Sequence, residues 1–196
     1  MRLPGASPAW KAEDTTNSCA LVLLYVESAQ TLARRIEPLP SGMPNSGQDQ
    51  FRSPREKDLA DLYRLDHEAF GETDGYTHLV LRQLFDAHRR DFLLLKRDGV
   101  LCGYALPVLG AREDHACLLA LAVLPEFQGQ GCGRSLLNAA VQQVREAGAR
   151  RMELAVREEN HAARGLYKKY GFRDGELLTD YYGPGNHRFS MSYTMD

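Results

Sequence analysis

The sequence predicts an α/β protein in which strands and helices alternate along one chain. Three observations predict it. Two apolar runs flank an Asp-Gly turn, a third run leads into a glycine-rich turn and an amphipathic helix, and another strand–helix pair follows. Of the 196 residues, 43% are hydrophobic and 26% are charged, the composition of a chain that folds around a core.

Two helices are predicted at the start of this domain. Ser53-Pro54-Arg55-Glu56 has the pattern of a capping box, with proline at the first helical position. Apolar side chains recur behind it at helical spacing: Leu59, Leu62, Tyr63 and Phe70. The second helix, over residues 77–90, offers an apolar stripe of its own: Leu81, Leu84 and Phe85.

Three strands are predicted next. The runs Phe92–Leu95 and Val100–Leu106 lie on either side of Asp98-Gly99, a dipeptide that favours a two-residue hairpin turn. The third run, Ala116–Leu124, ends at Pro125.

A glycine-rich turn follows the third strand directly. Residues 128–135 read Gln-Gly-Gln-Gly-Cys-Gly-Arg-Ser, and a helix predicted to Ala147 follows them. Backbone N–H groups of such a turn, together with the helix dipole, favour an anion. No lysine follows the last glycine, which argues against a nucleotide triphosphatase loop, and Arg134 stands where a dinucleotide fingerprint has its third glycine.

Two blocks of residues resemble one family. Gln128-x-x-Gly131-x-Gly133 is similar to the Q/R-x-x-G-x-G/A signature of the GNAT superfamily of acyl-CoA N-acyltransferases. After the strand Arg151–Val156, Asn160-x-x-Ala163-x-x-x-Tyr167 with Gly171-Phe172 resembles the second conserved block of that superfamily. The resemblance covers residues 51–196. It implies a three-layer fold with a mixed, mostly antiparallel central sheet and helices on both faces.

Residues near the end of the chain indicate a particular type within this superfamily. Tyr181-Tyr182 before a closing strand, Phe189–Met195, is similar to protein N-terminal acetyltransferases of the ribosomal-protein-alanine type. This implies transfer of acetyl from acetyl-CoA to a protein or peptide N-terminal α-amine, by direct attack in a ternary complex. Tyr181 and Tyr182 would then bind the acceptor substrate.

The resemblance also implies which residues bind acetyl-CoA. Backbone groups at the end of the third strand would pair with the pantetheine arm where two central strands splay apart, and amides of the glycine turn would hold the pyrophosphate. The implied set is Leu121, Ala122, Val123, Gln128, Gly129, Gln130, Gly131, Cys132, Gly133, Arg134 and Asn160. Asn160 suits a helix cap equally well, and Arg134 suits an exposed surface position.

Tyr167 is the implied catalytic acid, which protonates the departing thiolate. The general base is less clear, because Ala155 stands where the ribosomal-protein-alanine type has glutamate. Glu153 is the nearest acid on that strand face, roughly 6.5 Å away by strand rise, so it would act through water or a shifted pose. A site without a strong base suits an α-amine, which is roughly a tenth unprotonated at pH 7, better than a lysine amine, which is about 0.04% unprotonated.

Two other functions stay open from the sequence. One is acetylation of a small amine, and the other is a non-catalytic acyl-CoA-binding or protein-binding module, which Ala155 favours. The net charge of −2 argues against binding to nucleic acid or to an anionic membrane. The four cysteines and six histidines have no spacing typical of a metal site or a disulfide framework. We therefore expect no metal and a cytoplasmic protein, monomeric or homodimeric.

The first fifty residues differ from the rest of the chain. Six of the nine prolines lie within residues 1–54, and one short helix is conceivable over Cys19–Ile36. A partly ordered extension is favoured over a functional module here. We predict that deleting residues 1–50 leaves acetyl-CoA binding intact.

Overall fold

A computed structural model of the chain describes residues 49–112 and 114–195. Seven strands form one sheet in the order β1-β2-β3-β4-β5-β7-β6. The strands are β1 Asp49–Arg52, β2 Leu93–Arg97, β3 Val100–Leu109, β4 His115–Val123, β5 Arg151–Val156, β6 Arg173–Leu178 and β7 Arg188–Thr194. The helices are α1 Leu59–Asp74, interrupted at Gly71, α2 His78–His88, α3 Cys132–Glu146 and α4 His161–Tyr170.

The sheet is antiparallel at every pairing except one, between β4 and β5, which run parallel. Two apolar clusters cover its two faces. One packs α1 and α2 on the sheet through residues such as Leu62 and Leu81, and the other packs α3 and α4 through residues such as Leu136 and Tyr167. The predicted fold class, a mixed sheet with helices on both faces, is confirmed.

The turn at Asp98-Gly99 is formed as predicted. Both residues have positive φ, 51° and 82°, as a two-residue turn between twisted strands requires. Arg97 and Val100 close the hairpin as the last pair of the ladder.

The start of α1 differs from the prediction. A short 3₁₀ turn, Glu56–Asp58, precedes the helix, and the carboxylate that accepts from a cap residue is that of Asp58, 2.6 Å from the backbone nitrogen of Arg55. Asp58 also receives two hydrogen bonds of 2.7 Å from Arg52 in β1. The tertiary contact with β1 thus selects Asp58 over Glu56, and it shifts the helix start to Leu59.

Two strands carry little signal in the sequence. β6 is exposed along nearly its whole length, so it lacks the apolar alternation that reveals a half-buried strand. β1 begins at Asp49, so the predicted domain boundary at Phe51 falls inside the strand. The predicted Cys19–Ile36 helix lies outside the described residues.

Candidate functional site

An opening between two parallel strands forms the centre of the candidate site. β4 and β5 pair only from His115–Arg151 to Cys117–Glu153, and the rest of each strand continues without a partner across the gap. Residues 121–123 lie on the β4 side of the gap, while their other edge pairs with β3. Their outward backbone groups can therefore pair with an extended ligand, as an added strand would.

The glycine turn lies at the mouth of this opening. Gly129 and Gly131 have positive φ, 72° and 86°, and Gly131 is the N-terminal cap of α3. The Gln128 side chain donates 3.1 Å to the carbonyl of Val123, which fastens the turn to the end of β4. The turn thus presents α3's N-terminal amides beside the opening, where an anion is favoured.

Two residues of the turn that are predicted to bind acetyl-CoA differ in exposure: Cys132 is buried and Arg134 is exposed. Cys132 is fully buried, with its Sγ 3.9 Å from Sγ of Cys102 in β3, so its side chain packs the end of α3 onto the sheet. Burial raises the pKa of the Cys102 thiol to about 12. Arg134 is exposed in the first turn of α3, where its charge is available to a ligand phosphate or to solvent.

The first turn of α4 is capped by Asn160. Its side-chain oxygen accepts a hydrogen bond of 3.0 Å from the backbone nitrogen of Ala163, so the cap role is observed. Its amide nitrogen has no hydrogen bond to another described residue, which leaves a donor for a ligand.

Tyr167 lies two turns further along α4. It is 7% exposed, and its ring packs at 5.6 Å from that of Phe172. Burial raises the pKa of the Tyr167 phenol above its ordinary value, so the hydroxyl keeps its proton at neutral pH. Among the described residues, this hydroxyl makes no hydrogen bond.

Glu153 lies at the closed end of β4 and β5. It pairs with Cys117 on one side and Ser192 on the other, and its carboxylate accepts 2.8 Å from Arg151. Ala155 is the residue of the same strand face that reaches the opening, beyond the last pair. Glu153 is therefore in the last paired position before the opening, and its carboxylate forms an ion pair with Arg151.

A buried carboxylate fixes the segment between α1 and α2. Asp66 is 0% exposed and accepts hydrogen bonds of 2.5 Å from the Tyr104 hydroxyl and 2.6 Å from the backbone nitrogen of Tyr76. Burial raises the pKa of Asp66, while these two hydrogen bonds oppose the shift. Asp66 therefore connects the backbone at Tyr76 to Tyr104 in β3.

A second acid joins three elements beside the opening. Asp74, at the end of α1, accepts hydrogen bonds from Arg157, which follows β5, and from Arg188, the first residue of β7. These arginines, with the Arg157 hydrogen bond as the largest cause, hold the pKa of Asp74 below its usual range. The acid ties the α1–α2 segment to the end of β5 and to the base of the β6–β7 hairpin.

The two predicted acceptor-binding tyrosines lie in that hairpin. Their rings meet edge to face at 4.7 Å, and the guanidinium of Arg188 lies 4.8 Å over the ring of Tyr182. Burial, with smaller contributions from Tyr182 and Asp66, raises the pKa of Tyr76. Arg188, which also donates to Asp74, therefore joins Tyr182 to the end of α1, two residues before Tyr76.

The fold and this opening define an acyltransferase of the GNAT type, and the sequence comparison agrees. The profile of the Acetyltransferase (GNAT) family matches residues 57–172, and the chain belongs to that family. The resemblance found in the sequence is confirmed.

Comparison with individual proteins also finds N-acetyltransferases and structures of the same fold. A [ribosomal protein bS18]-alanine N-acetyltransferase of Haemophilus influenzae is 42% identical over 129 residues, which cover 63% of this chain and 86% of that protein. The crystal structure of Ard1 from Thermoplasma volcanium is 26% identical, covers 76% of this chain and 99% of its own, and superposes with a TM-score of 0.69. Arabidopsis thaliana Naa50, solved with the bisubstrate analogue CoA-Ac-MVNAL, shares the fold at 22% identity and a TM-score of 0.66, over 76% of this chain and 99% of its own.

Three residues of the site were not found from the sequence: Asp66, Asp74 and Tyr76. An acid inside the apolar stripe of α1 is the signal that marks Asp66, since a buried carboxylate needs partners. Asp74 is the last residue of α1 and Tyr76 lies in the connection to α2. Their side chains bond to partners 43 to 114 residues away, so no local pattern reveals them. Within residues 49–112 and 114–195, no group of three His, Cys, Asp or Glu side chains could hold a metal, and no helix is long and apolar enough to span a membrane.

Proposed function

We propose that the protein is an acetyl-CoA-dependent N-acetyltransferase that acts on protein or peptide N-terminal α-amines. The observation that carries the proposal is the gap between β4 and β5, which opens beside the glycine turn. The name of the Haemophilus relative supports an N-terminal alanine as acceptor. In this proposal the reaction takes place in the cytoplasm, which agrees with a cysteine spacing that is not typical of a disulfide framework.

The donor side of the gap fits acetyl-CoA. The N-terminal amides of α3 and the two positive-φ glycines suit a pyrophosphate, and the outer edge of residues 121–123 suits the amides of a pantetheine arm. Asn160 would donate from its free amide nitrogen while it keeps its cap. When bound, acetyl-CoA supplies an activated thioester carbonyl.

Tyr167 is the proposed general acid. Its phenol is protonated at neutral pH because burial raises its pKa, and it has no other hydrogen bond among the described residues to hold it. The departing thiolate has a conjugate acid of pKa near ~8.5, and a phenol that is still protonated at neutral pH can donate to it as negative charge develops on sulfur in the transition state.

The acceptor side is formed by the α1–α2 segment and the β6–β7 hairpin. Asp66 and Asp74 hold the first of these in place, and Arg188 joins it to the second. Tyr181 and Tyr182 are the residues proposed to contact an entering peptide. The attacking amine loses its proton to water in this proposal, since Ala155 provides no base at the opening and Glu153 is engaged by Arg151.

An α-amine is therefore the class of acceptor that this site can use without a strong base. At a pKa of about 8, its unprotonated fraction increases about tenfold per pH unit below that value, and kcat/KM should follow. A lysine amine would be slower by a factor of about two hundred at pH 7 for the same reason.

The test is turnover with a panel of amines, measured as release of free CoA. The panel contains peptides with N-terminal alanine, the same peptides with a blocked N-terminus and an internal lysine, and small amines such as a polyamine and an aminosugar. We expect turnover on the free N-terminus alone. Turnover on the small amines alone would favour a small-molecule acetyltransferase, and CoA binding without turnover would favour a binding module, the function that Ala155 suggests.

The matched variant is Tyr167→Phe, which keeps the packing against Phe172 and removes only the hydroxyl. We expect kcat to fall by at least ~100-fold, the lower range for general acid catalysis, with CoA affinity within twofold of the wild type. An unchanged kcat would remove Tyr167 from the mechanism.

A further inference from the structure

One carboxylate at the start of the described chain connects three separate elements. Asp49, the first residue of β1, is 4% exposed. It accepts hydrogen bonds of 2.7 and 3.0 Å from Nε and Nη2 of Arg97, at the end of β2, and one of 2.8 Å from the hydroxyl of Ser135 in α3. The bidentate pair fixes the plane of the guanidinium, since both ends of its fork are held.

The remaining Arg97 nitrogen reaches the glycine turn. Nη1 donates 2.9 Å to the backbone carbonyl of Gln130. In a trans peptide the carbonyl and the N–H of the next residue point in opposite directions, so this bond directs the Gly131 N–H away from Arg97. Glycine restricts the orientation of this peptide plane little, so the hydrogen bond to the Gln130 carbonyl helps to fix it.

We propose that Asp49 and Arg97 are positioning residues that preset the glycine turn for a pyrophosphate group. This inference rests on the proposed function, since it concerns the acetyl-CoA side of the same opening. Asp49 holds the guanidinium, Arg97 holds the Gln130 carbonyl, and Ser135 ties the same carboxylate to the helix whose amides face the ligand. Neither residue has to touch the ligand. A deletion of residues 1–50 removes Asp49 from β1, so this inference predicts weaker CoA binding by the truncated chain, contrary to the expectation from the sequence.

For Asp49→Asn, a purely electrostatic effect and a positioning effect predict opposite changes in CoA affinity. Asp49→Asn removes a negative charge near a site for an anion and frees the Arg97 charge, so attraction by charge would tighten binding of CoA. If Asp49 acts by positioning, the variant loosens the Gln130–Gly131 peptide and weakens binding. The direction of the change therefore separates the two roles.

The experiment measures CoA binding to the full chain by isothermal titration calorimetry. The variants are Asp49→Asn and Arg97→Lys, which keeps the charge but cannot make the fork and the third bond together. The matched control is Asp58→Asn, because it breaks a bidentate pair with Arg52 on the same strand, at the end away from the glycine turn. Pantetheine, which has no pyrophosphate, is titrated in parallel by nuclear magnetic resonance.

We expect both variants to bind CoA about tenfold more weakly, the effect of about 1.4 kcal/mol, with pantetheine affinity unchanged. Asp58→Asn should leave CoA affinity within twofold of the wild type. Equal or tighter CoA binding by Asp49→Asn overturns the inference, and so does an equal loss of pantetheine affinity or an equal loss in Asp58→Asn. Wild-type protein that fails to bind CoA would instead contradict the proposed function.

Discussion

The phenol of Tyr76 donates a hydrogen bond of 3.0 Å to the backbone carbonyl of Leu119. Leu119 is the residue of β4 that is skipped where the register with β3 shifts, opposite Pro107. Proline has no backbone N–H to offer a neighbouring strand. A side chain of the α1–α2 segment therefore satisfies a carbonyl of the bulge, and it couples the acceptor side of the site to the strand that lines the donor side.

Tyr76→Phe removes this donor and leaves a backbone carbonyl without its partner. We expect the free energy of unfolding to fall by about 1–2 kcal/mol, the cost of an unsatisfied acceptor, as measured by urea denaturation. The KM for the acceptor peptide should increase several-fold while the KM for acetyl-CoA stays within twofold. The control is Tyr63→Phe, whose hydroxyl contacts the His67 side chain instead. Equal effects of the two variants on the peptide KM would contradict the coupling.

Glu153→Gln tests whether the acid at the closed end of β5 acts in catalysis. We expect at least a third of the wild-type kcat and an unchanged pH profile, because the carboxylate is engaged by Arg151 where β4 and β5 still pair. Steady-state kinetics at several pH values measure this. A loss of nearly all turnover would identify Glu153 as the general base, acting through water.

Asp58 makes stability depend on pH. Its hydrogen bonds with Arg52, the largest cause, lower the pKa of Asp58 to about 2 in the folded protein from an ordinary value of 3.8. The folded state therefore binds the proton less readily, and the stabilisation is present above about pH 4 and is lost as the pH falls towards 2. We expect Asp58→Asn to unfold more readily than wild type at pH 6 and the difference to shrink on acidification, as followed by thermal unfolding.

The control for that variant is Asp61→Asn. Asp61 is exposed on α1, 3.6 Å from Arg64, and an exposed pair of this kind contributes at most ~1 kcal/mol. A pH-independent difference between Asp58→Asn and wild type would show that the Arg52 pair is not what couples stability to pH.

Gly75 is required by close packing. A Cβ at this position would lie 2.7 Å from the carbonyl oxygen of Gly71 and 3.1 Å from Oδ2 of Asp66. We expect Gly75→Ala to displace the segment before Tyr76 and to lower the free energy of unfolding by roughly 1–3 kcal/mol, the usual cost of overpacking. Urea denaturation measures the loss of stability, and the KM for the acceptor peptide reports the displacement of the segment.

Gly165→Ala is the matched control, since this glycine lies inside α4 and a Cβ there would meet nothing within 4 Å apart from its chain neighbours and the backbone of its own helix. There alanine should stabilise the protein by roughly 0.5–1 kcal/mol, because glycine loses more backbone entropy in a helix. A Gly75→Ala variant as stable as the wild type would show that the segment can move to accommodate the Cβ without lowering the free energy of unfolding.

Local patterns account for much of the fold. Alternating apolar runs, the Asp-Gly turn and the glycine-rich turn depend on residues near one another, and the strand Arg151–Val156 has the observed bounds. The helix over residues 161–170 likewise has Asn160 and Gly171 as its two predicted ends. β6 and the start of β1 were missed because their pairing partners, rather than their own side chains, hold them in the sheet.

The sequence by itself determined the α/β class, the family and the glycine turn, because each depends on residue types at short spacing. Only the tertiary structure decided which acids matter. Asp49, Asp66 and Asp74 each accept hydrogen bonds from partners 10 to 114 residues away. Glu153, the acid nearest to the expected position, lies at the closed end of the strands. A carboxylate's role depends on what surrounds it, and those surroundings exist only when distant parts of the chain have come together.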